Sequence, residues 1–310
     1  MNHSLFHYCI TITAACSLLF SCNTSKKSDP FPDEMVKFVP SAQNPLFTGT
    51  GGDDWDRNIR ERGFILLEDG LYKMWYSGYD GDYDKAETVH LGYATSKDGL
   101  HWERYSGNPV YSGKWTEDVF VLKDEGLYYL FAENGGDDTI HLLTSTDGIR
   151  WKEEGDLSFM TAAGDSILPP VGTPAIFVKD GKWLMYYERG DDAIWLATSE
   201  DKLNWTNMQD TPVLKPGPEK YDQGGIAADQ IVEWKGYYYM FYHATADPDW
   251  WFKPCEWNSD VAVSSDLIHW TKYPDNPVVA EDYSSPIMVF EAGKPILYTM
   301  HDIICRYCAQ

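Results

Sequence analysis

SKDGLHW, Ser96 to Trp102, is written four times in this chain. STDGIRW (Ser145 to Trp151), SEDKLNW (Ser199 to Trp205) and SSDLIHW (Ser264 to Trp270) repeat the pattern Ser-x-Asp-x-x-x-Trp, with start-to-start spacings of 49, 54 and 65 residues. A period of this length, in which every unit reads as strands, marks a propeller or an array. Around each copy lie four strand-like runs. The first unit reads RGFILLEDG, LYKMWYSGYD, TVHLGYATSKDG and HWERYSGNPVY, and a fifth unit stops after three runs. The first turn of each unit is tight (EDG, DEG, KDG, WKG, EAGK), with a glycine to supply positive φ for a hairpin. In the repeated motif, Ser and Asp are expected to bond turn amides and Trp to fill the space between units, a structural staple rather than catalytic machinery. The pattern predicts an all-β, five-bladed β-propeller with little helix.

The fifth unit lacks an outer strand, and the start of the chain offers one. Units one, three and four end in NPVY, TPVL and NPVV. NPLF, Asn44 to Phe47, has the same form but precedes the first unit. Pairing it with the last blade closes the ring and removes the exposed sheet edges of an open array.

The 310 residues carry a formal net charge of −23, and 15 % are aromatic, with 13 Trp and 21 Tyr. So acidic a chain repels phosphate, which argues against nucleic acid or an anionic membrane face as partner. It suits a solvated, neutral ligand. CITITAACSLLF, Cys9 to Phe20, is apolar but too short to span a bilayer. It runs into Ser21-Cys22 and resembles the lipobox of bacterial lipoproteins. That resemblance implies a leader over 1–21, a lipidated Cys22, a tether over 22–39 and a propeller domain over 40–310. It also implies an exported chain that touches a bacterial membrane only through its lipid anchor, and a monomer is expected. Of the remaining cysteines, Cys255, Cys305 and Cys308, an oxidising compartment allows one disulfide and leaves one thiol free. CRYC at the C-terminus has no second pair to make a zinc site.

In a four-stranded blade the innermost strand lines the channel. Loops leading into it share one face with loops between the second and third strands. On that face the loops are long, irregular, acidic and aromatic: TGTGGDDWDRNIRER, YDGDYDKAE, GKWTED, ENGGDD, TAAGDSILPPVGT, ERGDD, GPEKYDQGG and ATADPDWWFKPCEWNSD. Irregular loops on a repeated scaffold are where function usually lies. Trp55, Trp115, Trp250, Trp251 and Trp257 belong to it, and aromatic rings of this kind stack on the apolar faces of sugars. Carboxylates can bond sugar hydroxyls or move protons.

The SxDGxxW turns, the NPV outer strands and the second strands LYYLF and YYYMFYH resemble the five-bladed glycosidase superfamily, which includes glycoside hydrolase families 43, 32, 68, 117 and 130. The resemblance spans about Pro40 to the end. It implies an exo-acting, inverting glycoside hydrolase acting on plant or algal oligosaccharides and polysaccharides. Three carboxylates would surround the channel: a base on blade one, a modulating Asp on blade three and an acid on blade four. Family 43 sets these about eight residues before the first hairpin glycine, which here selects Arg62, Asp118, Thr173 and Ala228. Neighbouring acids are Glu61 and Asp229; on blade three, where GTP replaces the Asp, Glu188 is the substitute. The candidate base is therefore Glu61 or Asp56, and the candidate acid Asp229 or Glu188, with Asp118 beside them. Asp56 and Asp222, in WDR and YDQ, form a rival carboxylate pair. His243, in FYHAT, is a rival acid by likeness to family 117. Trp55, Arg62, Trp115, Thr173, Asp222, His243 and Trp251 are the substrate-binding candidates.

Two alternatives differ in class. One is a propeller that binds carbohydrate without cleaving it. The other is a phosphorylase like those of family 130, for which Arg57, Arg60 and Arg62 supply the nearest cationic cluster. No cofactor is expected. Asp80, Asp82 and Asp84 begin like a calcium loop, but Lys85 stands where the glycine is needed and Leu91 where the closing Glu is needed, so a structural calcium is an option and nothing more.

Overall fold

In the computed structural model, which describes residue 1 and residues 29–310 apart from 83–85, 87 and 136, the four repeats become four identical turns. Ser96, Ser145, Ser199 and Ser264 each accept, on Oγ, the backbone N–H three residues on. Asp98, Asp147, Asp201 and Asp266 each accept two further N–H groups on Oδ1, all at 2.8–3.0 Å. These donors hold the Asp147 carboxyl down at about 2. The motif is the turn into the outer strand, as its residue types predict. Residues 2–28, which hold the expected leader and Cys22, lie outside the described residues.

The chain begins with a one-turn helix, α1 (Asp33–Val36), then β1 (Phe38–Pro40) and β2 (Phe47–Thr48). Blade one is β3 (Asn58–Glu68), β4 (Leu71–Tyr79), β5 (His90–Ser96) and β6 (Glu103–Arg104). Blade two is β7 (Glu117–Asp124), β8 (Leu127–Asn134), β9 (Thr139–Ser145) and β10 (Lys152–Asp156). Blade three is preceded by β11 (Ser158–Met160) and β12 (Ser166–Ile167), which join its outer edge. Its own strands are β13 (Gly172–Lys179), β14 (Lys182–Glu188), β15 (Ile194–Ser199) and β16 (Asn204–Asn207). Blade four is β17 (Ile226–Trp234), β18 (Tyr237–Ala244), β19 (Asn258–Ser264) and β20 (Thr271–Lys272). Blade five is β21 (Pro286–Glu291), β22 (Lys294–Met300) and β23 (Ile303–Ala309). Each inner hairpin turns on two positive-φ residues. Asp69, Glu125, Asp180, Lys235 and Ala292 (φ 47–52°) each precede a glycine at φ 75–85°. That is the turn whose twist matches the strands it joins.

The ring closes as expected, and earlier in the chain. β2 pairs β23, Phe47 opposite Ile304, and β1 lies antiparallel on the same strand, Phe38 opposite Ala309. Asn44 acts as a strand residue: its Oδ1 accepts from Arg306 N–H and its Nδ2 donates to Arg306 C=O. Asn108 and Asn276 do the same with Tyr93 and Val261, all at 2.9–3.1 Å. The NP signature is thus a side chain continuing the ladder where the proline cannot. The tether expected over 22–39 does not stay off the domain. Met35 and Val36 are buried, and Tyr239 donates to Pro30 C=O at 2.9 Å. The apolar residues of FPDEMVKFVP outweigh its prolines and charges. The TAAGDSILPPVGT stretch also departs from expectation, since β12 carries half of it to the outer edge of blade three.

Neighbouring blades are joined at one repeated place, the fifth residue of the second strand. There Trp75 Nε1 donates to Gly148 C=O (2.7 Å), Tyr186 Oη to Leu267 C=O (2.7 Å) and Tyr298 Oη to Gly99 C=O (2.9 Å). Each acceptor lies in the next blade's repeated motif, and the motif's Trp packs on the same ring: Trp151 on Trp75, Trp270 on Tyr186, Trp102 on Tyr298. Phe131 at this position packs on Trp205 without a polar bond, and Phe241 meets Phe38 of the closing strand, since blade five has no such motif.

At the axis, the inner strands of blades one to four each carry a β-bulge at the same level, leaving residues 61–63, 118–119, 173–174 and 229 out of the ladder. Bulges free backbone carbonyls and re-aim side chains. Arg62 takes up those carbonyls. Fully buried, it donates to Asp118 C=O (2.8 Å), Pro174 C=O (2.8 Å), Ala228 C=O (3.1 Å) and Asp229 C=O (2.9 Å), on blades two, three and four. Its guanidinium closes the channel and makes the space above it a blind well. Among the described residues no helix is long and apolar enough to cross a membrane.

The inter-blade bond can be isolated by Tyr186→Phe, which keeps the ring packing but strands Leu267 C=O. The expected loss is about 1–2 kcal/mol, read as a lower urea midpoint with an unchanged m-value; an unchanged midpoint would show that ring packing alone holds blades three and four together.

Candidate active site

The well over Arg62 has a volume of about 860 Å³ and is built from the two sets of loops that share the irregular face. The bulged inner strands bring Glu61, Asp118 and Thr173 to it. The ends of the second strands bring Glu133, Glu188 and His243, and the loops beyond them bring Asp191 and the segment 250–257. Asp118 and Thr173 reach their positions with φ of 48° and 43°, left-handed values that the bulges impose.

Glu61 sits between a guanidinium and an imidazole. Its Oε1 lies 3.1 Å from Arg60 Nη2, and its Oε2 lies 3.2 Å from His301 Nε2. Burial pushes its carboxyl up, but Arg60, His301 and His243 outweigh burial, and its pKa is lowered from the ordinary value. Arg60 also holds Glu117 (Nε to Oε1, 2.6 Å), whose other oxygen accepts from Trp115 Nε1 at 2.7 Å.

Across the well the balance reverses. Burial, then Glu117, push Asp118 up to about 7. Burial likewise raises Glu188, even though Asp191 N–H donates to its Oε2 at 2.5 Å. Glu133 and Asp191 stand well above the carboxylate range, from burial and then the neighbouring acids. Glu133 and Glu188 lie side by side over Gly172: a Cβ there would come within 2.2 Å of Glu133 Oε2 and 2.3 Å of Glu188 Oε1. No other residue fits between them. Thr173 contributes its backbone N–H to Glu133 Oε2 at 3.1 Å.

His243 adds a further cationic group. Its Nδ1 bonds the carboxylate of fully buried Asp229 (3.0 and 3.1 Å), which leaves Nε2 to face the well. Burial pulls its pKa down, but Asp229 and then Asp191 and Glu61 overcome this and lift it to about 9. An edge-to-face contact with Trp257 at 5.2 Å fixes the ring.

The structure therefore gathers Glu61, Asp118, Thr173, Glu188, His243 and Trp251 into one well. Asp229 lies beneath it, behind His243. Arg62 forms its floor and is spent on carbonyls, so it is no free ligand for substrate. Trp115 braces Glu117 rather than lining the cavity. Three candidates are elsewhere. Asp56 is buried within blade one, accepting from Tyr76 Oη (2.9 Å) and Arg104 Nε (2.8 Å). Trp55 stacks on Tyr76 at 5.8 Å. Asp222 pairs with Lys272 beside a separate cavity of about 600 Å³ between blades three and four. WDR and YDQ look alike in sequence, but the short 3₁₀ turn at Lys220–Asp222 and the tight loop before β3 fold both acids inward, away from the axis.

Glu117, Glu133, Asp191 and His301 are site residues that the spacing argument passed over. The first three lie in GKWTED, ENGGDD and ERGDD, loops already assigned to this face, so the signal was present but pointed to loops rather than residues. His301 follows β22 in the one blade whose sequence departs most from the repeat. Cys255 lines the well, Cys305 is buried and Cys308 exposed; all three are free thiols, with no disulfide among them. Among the described residues no group of three or more His, Cys, Asp or Glu is arranged to hold a metal ion.

No family model matches the chain. It is 29% identical over 229 residues to a 1,2-β-oligomannan phosphorylase of Thermoanaerobacter sp. (strain X514), covering 69% of this chain and 73% of that one. A solved structure from the glycoside hydrolase family 130 mannoside phosphorylases, from work on members that hydrolyse β-1,2-mannosidic linkages in Candida mannan, superposes with a TM-score of 0.66 at 18% identity. It covers 87% of this chain and 93% of that one. The β-1,2-mannobiose phosphorylase of Listeria innocua, bound to β-1,2-mannobiose, gives a TM-score of 0.67 at 15% identity, with 87% and 96% covered. At such identities the superpositions establish the fold. The chain has the five-bladed β-propeller architecture shared by glycosidases and mannoside phosphorylases.

Proposed function

We propose that this chain is a glycoside hydrolase that removes a terminal sugar from an oligosaccharide by acid/base catalysis. The observation that carries the reading is the pairing of two unlike carboxyls in one blind well: Glu61, its pKa lowered beside Arg60 and His301, and Glu188, its pKa raised by burial. Cleavage of a glycosidic bond needs both, a base to deprotonate water and an acid to protonate the leaving oxygen. In the proposed step Glu61 takes a proton from water as its oxygen bonds the anomeric carbon. The bond to the leaving group breaks with its electron pair, and Glu188 gives that oxygen its proton. Solvent then returns one proton to Glu188 and takes one from Glu61. Asp118 holds Glu61's strand through Arg62 N–H (3.0 Å). His243 remains the rival donor, since Asp229 keeps it charged. Inversion at the anomeric carbon follows from direct attack by water, and a blind well suits release from a chain end. The relatives point to β-1,2-mannosides as the first substrates to try.

Phosphorolysis is the second reading, favoured by the oligomannan phosphorylase likeness. The arginines once grouped for it do not assemble a phosphate site. Arg62 is committed to four carbonyls, Arg60 to Glu117 and Glu61, and Arg57 does not line the well. An acid-lined well also opposes a second anion. A non-catalytic binding role leaves the paired acids without purpose.

With β-1,2-mannobiose and a panel of aryl glycosides, turnover is expected without phosphate, falling at least about 10²-fold in Glu61→Gln and Glu188→Gln while Asp56→Asn, outside the well, keeps it. Strict phosphate dependence would move the chain to the phosphorylases. The pH profile supplies a separate check. Glu61 works ionised and its pKa is lowered, so activity persists below the usual carboxylate range and is lost as pH falls through the depressed value. In Arg60→Met that acid limb should move up by about one pH unit or more; an unmoved limb would remove Glu61 as the base. Export and anchoring rest on the leader alone: labelled palmitate should enter the wild-type chain in a bacterial host and not Cys22→Ala, and equal labelling of both would discard the anchor.

A further inference from the structure

The segment between β18 and β19 builds a row of rings leading out of the well. Trp257 stands edge-on to His243 at 5.2 Å, Trp250 edge-on to Trp257 at 5.2 Å, and Trp251 stacks on Trp250 at 4.3 Å with 28° between planes. The inner rungs are held tightly. A Cβ on Gly225 would lie 3.0 Å from Trp257 and 3.2 Å from Trp250, so both rings press on bare backbone. Trp257 N–H donates to Asp282 Oδ1 at 2.8 Å, and Lys253 pairs with Asp247 at 2.7 Å across the turn. The outer rung is open: Trp251 is 69% exposed, an uncommon state for so large an apolar side chain. All three Trp residues line the same cavity as the carboxylates.

We infer that Trp251, backed by Trp250 and Trp257, is a platform for the sugar unit next to the scissile bond on the leaving-group side. This rests on the hydrolytic reading of the well. The chemistry follows from position. Arg62 closes the bottom, so the terminal unit occupies the well and the rest of the chain must leave by the mouth. A flat ring there, offered on one face and already stacked on the other, matches the apolar C–H face of a hexopyranose or an aromatic aglycone. The platform makes the protein selective for oligosaccharides over simple alkyl glycosides.

The test is binding, with catalysis removed by Glu188→Gln. Tryptophan fluorescence and calorimetry are run with methyl β-mannoside, 4-nitrophenyl β-mannoside and β-1,2-mannotriose. Trp251→Ala is expected to weaken mannotriose and the nitrophenyl glycoside about tenfold more than the methyl glycoside, and Trp251→Phe to restore most of the difference. Equal loss for all three, or no binding of any of them by the parent protein, overturns the platform. The two readings fail separately. Turnover of mannobiose with no length-dependent effect of Trp251 sinks the platform alone, whereas Trp251-dependent binding by a wild-type protein that never turns over sinks hydrolysis alone.

Discussion

One buried guanidinium decides what the centre of this ring can be. Each inner strand of blades one to four must bulge to aim its residues at the axis, and every bulge leaves carbonyls unpaired in a place water does not reach. Arg62 answers three blades at once through Asp118, Pro174, Ala228 and Asp229. A lysine could not, because the planar fork is what spans several acceptors. The cation that satisfies the bulges also blocks the channel. The site is therefore a well with one mouth, and everything said of its chemistry depends on that floor.

Above the floor, charge is graded rather than uniform. The chain gathers far more acids than bases, yet its few cations stand where they sort the acids into two kinds. Arg60 and His301 help hold the pKa of Glu61 down, while burial and then neighbouring acids raise those of Glu133, Glu188 and Asp191. His243 owes its charge to Asp229, an acid that never touches the well. Asp282 joins the arrangement to the aromatic lip, accepting from Trp257 N–H while lying 3.9 Å from His301 Nδ1. The segment that carries the aromatic lip and the histidine beside Glu61 thus meet at a shared residue.

The scaffold beneath repeats a single joint. An aromatic at the fifth residue of the second strand meets the next blade's motif wherever that motif exists, and three of the five add a hydrogen bond to the C=O of the residue whose N–H the motif serine already binds. Where blade five lacks the motif, Phe38 from the first strand stands in against Phe241. Closure of the ring is therefore a substitution of one aromatic contact for another, and the chain's N-terminal residues from Pro30 onward are part of the domain.

Local chemistry alone determined the repeat and its consequences: the Ser and Asp turns, the hairpin glycines, the NP asparagines and the number of blades. Each of these is satisfied by atoms within a few residues or in the adjacent strand, so residue type and spacing carry the information. The face that bears the site was legible for the same reason, since the irregular, acidic and aromatic loops collect on one face while the repeated turns take the other. Which acids share the well was not. Asp56 and Glu61 are five residues apart with similar surroundings in sequence, yet a turn folds one into blade one and a bulge turns the other to the axis. Glu133 and Glu188 are neighbours only because Gly172 leaves room between blades two and three. Proton affinity in such a site depends on burial and on charges brought from distant parts of the chain, and only the closed ring sets those distances.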